Sequence, residues 1–240
     1  MKPLFMLPFD HRSGFLRELF EKAYPPSPTV AKRVVSLKRI IYDGFLQAAP
    51  EVERVGTPAI LVDEEFGLDI FEDAKKRGIA TALSAEKSGV TSFAFQHGRG
   101  FGRALLRREP TYAKALVHYT VGDDELNAEK AEKLAELSDF CEEHGLGFLI
   151  EPLLHGKGTP LSRAQMMVRE FLNAGIKPTV WKVEGLPKVS DWKKLGKIVK
   201  APIIVLGRGQ AKADVETWIK TAAASGAVDG FAIGRTIFMG

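Results

Sequence analysis

The chain has 240 residues, 45% hydrophobic and 27% charged, with 34 basic against 30 acidic side chains and a formal charge of +4. That composition suits one large globular core and argues against a disordered chain, while so mild a charge fits an anionic small substrate as well as it fits nucleic acid. The single cysteine, Cys141, excludes a disulfide framework and a cysteine-rich zinc site.

The opening MKPLFMLPFDHR is too short and too broken by proline for a secretory signal. No apolar stretch is long enough to span a membrane, so a cytoplasmic protein with no membrane partner is expected. The first strand is LFMLPF (4–9), followed by helical stretches at 13–22 and 28–48 around the proline-rich AYPPSP. PAILV (58–62) is the second strand, and Gly67 and Gly78 bracket the helix 66–77 that follows it. IATALS (79–84) leads to a helix at 98–108, where Arg99, Arg103 and Arg107 recur every four residues. That spacing describes a solvated helix face or an interface, and no nucleic-acid motif accompanies it, so no nucleic-acid partner is expected.

YAKALVHY (112–119) precedes a helix at 124–144 that carries Cys141 as a packing residue and ends at Gly145. LGFLIE (146–151), helix 161–174, PTVWKV (178–183), helix 190–200, PIIVL (202–206), helix 211–225 and GFAI (230–233) complete the alternation. Continuous apolar runs indicate strands buried on both faces, hence a parallel sheet. Eight such units predict an α/β chain of one domain, residues 1–240, folded as a (β/α)₈ TIM barrel. Only Thr236 to Gly240 follow the last strand-end arginine, so the eighth helix is expected to be short or missing. The competing Rossmann-like sheet expects GxGxxG after the first strand, where this chain reads PFDHRSG. GRGFGR (98–103) has the wrong spacing to cradle a pyrophosphate.

In a barrel of this kind the catalytic face is made by the carboxyl ends of the strands. Those ends carry Asp10-His11-Arg12, Asp63, Glu86-Lys87, Lys114 with His118, Glu151, Lys182 with Glu184, Gly207-Arg208-Gly209 and Gly234-Arg235. Polar loops alone would supply some of these. Lys114 and Lys182 are different, because each lies within or at the edge of an apolar strand, where an unpaired ammonium is costly. Burial favours a neutral amine, the nucleophile that attacks a carbonyl to form a Schiff base. A neighbouring carboxyl must then move protons, and Glu151, one strand from Lys182, is the expected acid/base, with Asp10 and Lys114 sharing proton transfer. Arg12, Asp63, Lys87 and His118 are expected to contact substrate.

LGRGQ and AIGRT place Gly207, Arg208, Gly209, Gly234 and Arg235 on the loops after strands seven and eight, a common phosphate site of this fold. The five histidines form no HxH or HExxH, so no metal and no cofactor is expected, the alternative being a carboxylate-bound magnesium at Asp10 with His11.

The segments LPFDHRSGF, KRIIYDGF, AILVDEEFG, SAEKSG, KALVHY, VWKVEGL, IIVLGRG and GFAIGRTIF span nearly the whole chain in order. With them the chain resembles the class I aldolases that include tagatose-bisphosphate and sulfofructose-phosphate aldolases. It is most similar to the 2-deoxy-5-ketogluconate-6-phosphate aldolase domain of inositol catabolism. The resemblance implies a Schiff base on the lysine of the KVE segment, Lys182, with Glu151 and Lys114 in the places of the family's fifth-strand glutamate and fourth-strand lysine. It further implies cleavage or formation of a carbon–carbon bond in a phosphorylated keto-sugar or keto-sugar acid, with dihydroxyacetone phosphate as one product. The chain departs from the more distant members, which read DQR, at Asp10-His11-Arg12, and PLLHGKGTP is short beside the bisphosphate aldolases.

Two other readings come from different classes: a phosphate-binding barrel isomerase or decarboxylase without a covalent lysine, and a non-catalytic sugar-phosphate sensor. Without a full eighth helix, an apolar strip beside the first and last strands is expected to be covered by residues 13–48 or by a second subunit. A homodimer or higher homo-oligomer is the expected assembly.

Overall fold

The structure, a computed structural model, describes residues 2–22, 24–90 and 92–239. Eight strands alternate with helices: β1 (Leu4–Pro8), α1 (Ser13–Phe20), α2 (Pro28–Val55), β2 (Thr57–Val62), α3 (Glu64–Lys76), β3 (Ala80–Ser84), α4 (Phe101–Arg108), β4 (Tyr112–Thr120) and α5 (Asp124–His144). They continue with β5 (Gly147–His155), α6 (Pro160–Asn173), β6 (Val180–Glu184), α7 (Val189–Gly196), β7 (Ile203–Leu206), α8 (Lys212–Ser225), β8 (Gly230–Ala232) and α9 (Arg235–Phe238). Each strand pairs in parallel with the next, and β1 pairs with β8, closing a (β/α)₈ TIM barrel in sequence order. Among the described residues no helix is long and apolar enough to cross a membrane.

Side chains alternate across a strand, so a closed barrel needs apolar residues at both parities. One row, with Leu4, Met6, Leu61, Leu149, Val180 and Ile204, fills the interior. The opposite row packs outward on helices, as Phe148, Trp181, Ile203 and Val205 do in the largest core cluster. Cys141 is buried in that cluster, and burial pushes its thiol up to about 12, which suits packing and not nucleophilic chemistry.

Two elements run longer than the sequence reading. Helix α2 continues through Pro50 to Val55; that proline lies on the exposed side, and the helix still closes with the Gly56 amide on the Val52 carbonyl at 2.8 Å. Strand β5 continues past Glu151 to His155, paired with β4 from Tyr112↔Gly147 to Thr120↔His155. Strand β6 pairs only with Leu149 and Ile150, so β5 is an edge on that side at Pro152, where the missing N–H is tolerated. The two strands therefore rise together above the rim. The arginine face of the 98–108 segment borders a shallow groove whose other wall is Glu136, Asp139 and Glu143 of α5.

After β8 comes the single turn α9, whose Phe238 packs on the clusters holding Phe9, Phe15, Leu16 and Val34. Ile237 and Met239 of the same turn stay exposed.

Asp63 departs from its expected role. Its side chain is fully buried against α2, ion-paired with Lys38, and accepts the Phe66 amide at 2.8 Å as the N-cap of α3. Both of its oxygens are used, so it is a structural carboxylate and not a substrate contact. Lys38 is equally buried and sits 5.5 Å from the Phe66 ring centre. Removing one partner of such a pair strands the other charge in the core. Lys38→Met is expected to lower unfolding free energy by about 3–5 kcal/mol in urea titrations, whereas Arg39→Met, in an exposed pair, should cost under about 1 kcal/mol.

Candidate active site

At the carboxyl ends of the strands the inward row turns from apolar to charged. Leu4 and Met6 lead on to Asp10, Ala80 and Ala82 to Ser84 and Glu86, Tyr112 to Lys114, Leu149 to Glu151, and Val180 to Lys182. All of these polar residues are buried. The Lys114 ammonium meets three carboxylates, Asp10 Oδ2 at 2.8 Å, Glu86 Oε1 at 3.0 Å and Glu151 Oε2 at 3.1 Å. One carboxylate for each N–H satisfies the group completely. Glu151 offers its other oxygen, Oε1, to Lys182 Nζ at 2.8 Å and so bridges the two lysines.

Neighbouring groups fix the carboxylates. Ser84 Oγ donates to Asp10 Oδ2 at 2.8 Å, and the Leu116 amide donates to Glu86 Oε2 at 3.2 Å. Arg12 donates to the Glu86 carbonyl at 2.8 Å and to Gln96 Oε1 at 3.1 Å, and lies 3.4 Å from Glu86 Oε1. Arg12 thus positions Glu86 as well as lining the cavity.

Burial alone would raise the Asp10 carboxyl, but Lys114, His11 and Lys182 overcome it and hold the group well below its ordinary range. Glu151 is likewise lowered, burial being outweighed by Lys114 and Lys182. Lys114 is shifted upward because Asp10, Glu151 and Glu86 together exceed its desolvation. Lys114 is therefore a permanent cation. His11 behaves oppositely: burial pushes its imidazole down to about 4 against the pull of Asp10, with Arg235 and Lys182 adding to the fall. Its Nδ1 is shielded and has no hydrogen-bond partner among the described residues.

A cavity of about 880 Å³ opens over this cluster, with Asp10, His11, Glu86, Lys114 and Glu151 on its wall. Lys87 and His118 also line it, both exposed. Lys182, only 3% exposed, is not on that wall; the Glu151 carboxylate stands between the cavity and its amine.

The loops after β7 and β8 adjoin one another but do not line this cavity. Gly209, at φ +68°, leaves space for the Arg235 guanidinium, whose Cζ would lie 3.0 Å from a Cβ there. Gly207 faces Ile233 and Thr236 of the second loop, and Gly234 precedes α9. Each arginine already has a carboxylate partner, Glu184 for Arg208 and Glu18 of α1 for Arg235. His11 lies within electrostatic reach of Arg235 on one side and of Asp10, Lys182 and Glu151 on the other.

Glu86, Ser84 and Gln96 carry parts of this geometry that spacing alone did not assign. For Ser84 and Glu86 the signal was present, since both continue the inward row of β3; Gln96 returns from a distant loop and leaves none. Among the described residues, no three or more His, Cys, Asp or Glu side chains are grouped to hold a metal ion.

The His11 shift has a consequence for stability. Unfolded histidine takes up a proton near pH 6.5, while the folded ring resists it down to about 4, so stability falls as pH drops through that window. The depressed Asp10 and Glu151 have the same sign, but their loss begins only below the ordinary carboxylate range. Urea midpoints should therefore decline between pH 6.5 and 4 in the wild type and more shallowly in His11→Asn; equal slopes would reject this account.

No curated protein matches the sequence. Among solved structures, the chain is similar to an archaeal fructose-1,6-bisphosphate aldolase determined with its catalytic lysine covalently bound to the carbinolamine intermediate. The TM-score is 0.68 at 13% identity, covering 100% of this chain and 88% of that one. It is also similar to Cgl0159 from Corynebacterium glutamicum, at TM-score 0.68 and 18% identity over 98% and 78% of the two chains. A tetrameric deoxyribose phosphate aldolase from Aeropyrum pernix aligns at TM-score 0.51 and 10% identity over 98% and 85%. At such identities the likeness is one of fold. The sequence itself matches a family over residues 1–240, and on that match the chain belongs to DUF2090, a family described as an uncharacterized protein conserved in bacteria.

Proposed function

We propose that this protein is a class I aldolase that makes or breaks a carbon–carbon bond through a Schiff base on Lys182. The observation that carries the reading is a buried amine at the carboxyl end of β6, 2.8 Å from a carboxylate that faces a large polar cavity. The fold neighbours support it: one is a Schiff-base-forming fructose-1,6-bisphosphate aldolase, and the archaeal one has its catalytic lysine covalently bound to the carbinolamine intermediate of its substrate. A barrel isomerase would not need an amine in this position.

The chemistry follows from the charges. Lys114, Lys182 and Arg12 face Asp10, Glu86 and Glu151, three formal cations against three carboxylates. A proton passed from Lys182 to Glu151 leaves that total unchanged, so the neutral amine can be released without creating net charge in a buried site. The amine nitrogen adds to the substrate carbonyl, and Glu151 returns a proton as water leaves, giving the iminium. The β-hydroxyl proton goes to a carboxylate, Glu151 or Asp10. The electrons of the adjacent carbon–carbon bond then move into the iminium, an aldehyde departs, and an enamine remains. Protonation of the enamine and addition of water free the ketone and restore Lys182. Lys114, held charged, fixes the orientation of Asp10 and Glu151 throughout. Glu151 must swing aside as the carbonyl arrives, because it separates Lys182 from the cavity.

The substrate is proposed to be a phosphorylated keto-sugar or keto-sugar acid, with dihydroxyacetone phosphate as the ketone product, as the likeness to the inositol-catabolism aldolase suggests. Its phosphate is assigned to Gly207, Gly209, Gly234 and Arg235, whose loops adjoin and lie near His11.

Incubation with dihydroxyacetone phosphate and borohydride should add the reduced ligand's mass to the peptide holding Lys182; labelling elsewhere, or none, would sink the assignment. Glu151→Gln should slow turnover by about 10²–10⁴ with the protein folded, and a loss below about tenfold would move the role to Asp10. Arg235→Ala should raise KM strongly for phosphorylated substrate; equal turnover of the unphosphorylated sugar would remove the phosphate from this reading.

A further inference from the structure

The arginine run of the 98–108 segment plays no part in the site. Arg99, Arg103 and Arg107 are exposed along one face of α4 and the turn before it. On the neighbouring helix α5, Glu136, Asp139 and Glu143 are exposed at spacings of three and four residues, so they too form one stripe. Arg99 and Arg103 on one side and the three acids on the other wall a single shallow groove. Phe140 of α5 fills the notch left by Gly102 of α4, where a Cβ would lie 2.5 Å from its ring, and the stripes flank it without meeting. Among the described residues none of these six charges has an ion pair, whereas Arg39, Arg77 and Arg108, on other faces, each hold a carboxylate.

The face therefore presents three unpaired cations beside three unpaired anions. Nucleic acid or an acidic partner would be repelled by the acidic stripe, and a basic partner by the arginines. Equal rows of both signs are complementary to themselves. Helices α4 and α5 run in the same sense, since each returns the chain between parallel strands, β3 to β4 and β4 to β5. A two-fold axis laid along the groove then sets α4 of one subunit over α5 of the other, so that each arginine stripe meets an acidic one. An axis across the groove would lay arginine on arginine and acid on acid. Charge thus selects one of two isologous arrangements.

The dimensions suffice. The 21 residues of α5 extend about 31 Å, and with α4 alongside they offer roughly 500 Å² per subunit, the size at which specific dimers begin. Leu106, 43% exposed, follows Arg99 and Arg103 on the same helical face and adds apolar area to the contact. The face lies across the barrel from the β1–β8 seam, and none of its charged residues lines the cavity.

We infer that the α4–α5 face is the interface of a symmetric dimer of this chain, closed by Arg99 and Arg103 of one subunit on Glu136, Asp139 and Glu143 of the other. The inference stands apart from the aldolase reading, because no residue of the site enters it.

Light scattering after size exclusion, over a range of protein concentrations, reads the mass in solution. The wild type is expected at twice the chain mass at low salt, with the dimer weakening as sodium chloride screens the contact. Arg103→Glu and Asp139→Arg should each weaken dimerisation by about tenfold or more, since each sets like charges against one another. An equimolar mixture of the two variants should return to dimers, because both halves of the mixed interface again join opposite charges. Arg169→Glu, exposed on α6, should leave the mass unchanged. A monomeric wild type would overturn the inference. So would a dimer that persists in both reversed variants, or a mixture that stays monomeric while both are folded. Should either variant fail to fold, the doubly reversed chain, Arg103→Glu with Asp139→Arg, decides: it should dimerise like the wild type, and a folded monomer would reject the interface.

Discussion

The site depends on a single ammonium. Lys114 stands at the centre of three carboxylates contributed by the segments after β1 and β3 and by β5, and each of them is held by that one charge. Without it Asp10, Glu86 and Glu151 would repel one another in a buried space, and at least one would take up a proton. With it, Asp10 and Glu151 stay below their ordinary range, and Glu151 is pinned by one oxygen while the other reaches Lys182. Proton transfer to or from Glu151 is thereby set against a fixed positive charge. The cost of burying so many ions is offset by complete pairing, which is the condition under which such clusters persist.

The barrel makes that arrangement possible by geometry alone. Closure puts eight strand ends around one axis, and the two-residue period sends every second side chain toward it. The same register that packs Leu4, Leu149 and Val180 in the interior delivers Asp10, Glu151 and Lys182 to the mouth. Stability and chemistry are layers of one row, apolar below and charged above. The outer row, meanwhile, keeps the helices fixed. Gly185, immediately after β6, shows how tightly: a Cβ there would lie 1.9 Å from the Trp218 ring of α8, so the chain leaving Lys182 has no freedom to drift.

The carboxylates of this protein divide into two kinds by what they meet. Asp63 is saturated by Lys38 and by the first turn of α3, and its work is structural. Asp10 and Glu151 line the cavity, where their partners are the lysines of the site. The lysines divide in the same way. Lys38 is enclosed, Lys114 is saturated but borders the cavity, and Lys130 borders it while donating to the His118 carbonyl. Position on a strand end does not distinguish these cases; the company each charge keeps does.

Much of the architecture was legible in the sequence because it is carried by local pattern. Apolar runs of strand length, glycine and proline punctuation, and helical stretches between them determine eight β/α units, and parallel closure in chain order follows. Lys114, Glu151 and Lys182 were legible too, as charges where a strand should be apolar. The ends of β5 and α2 were not, because a proline ends an element only where its missing N–H would have been used, and Pro152 lies on a local edge while Pro50 lies on an exposed helix face. Nor could spacing show that Asp63 turns away to Lys38, since its partner sits 25 residues earlier on a helix. In the cage, Lys114 pairs with Asp10, 104 positions away, and the pairing of His118 with His155 needs β4 and β5 to rise together. Those relations belong to tertiary structure alone, because a charge's role is set by which other charges it meets in space, and one dimension of sequence does not contain those distances.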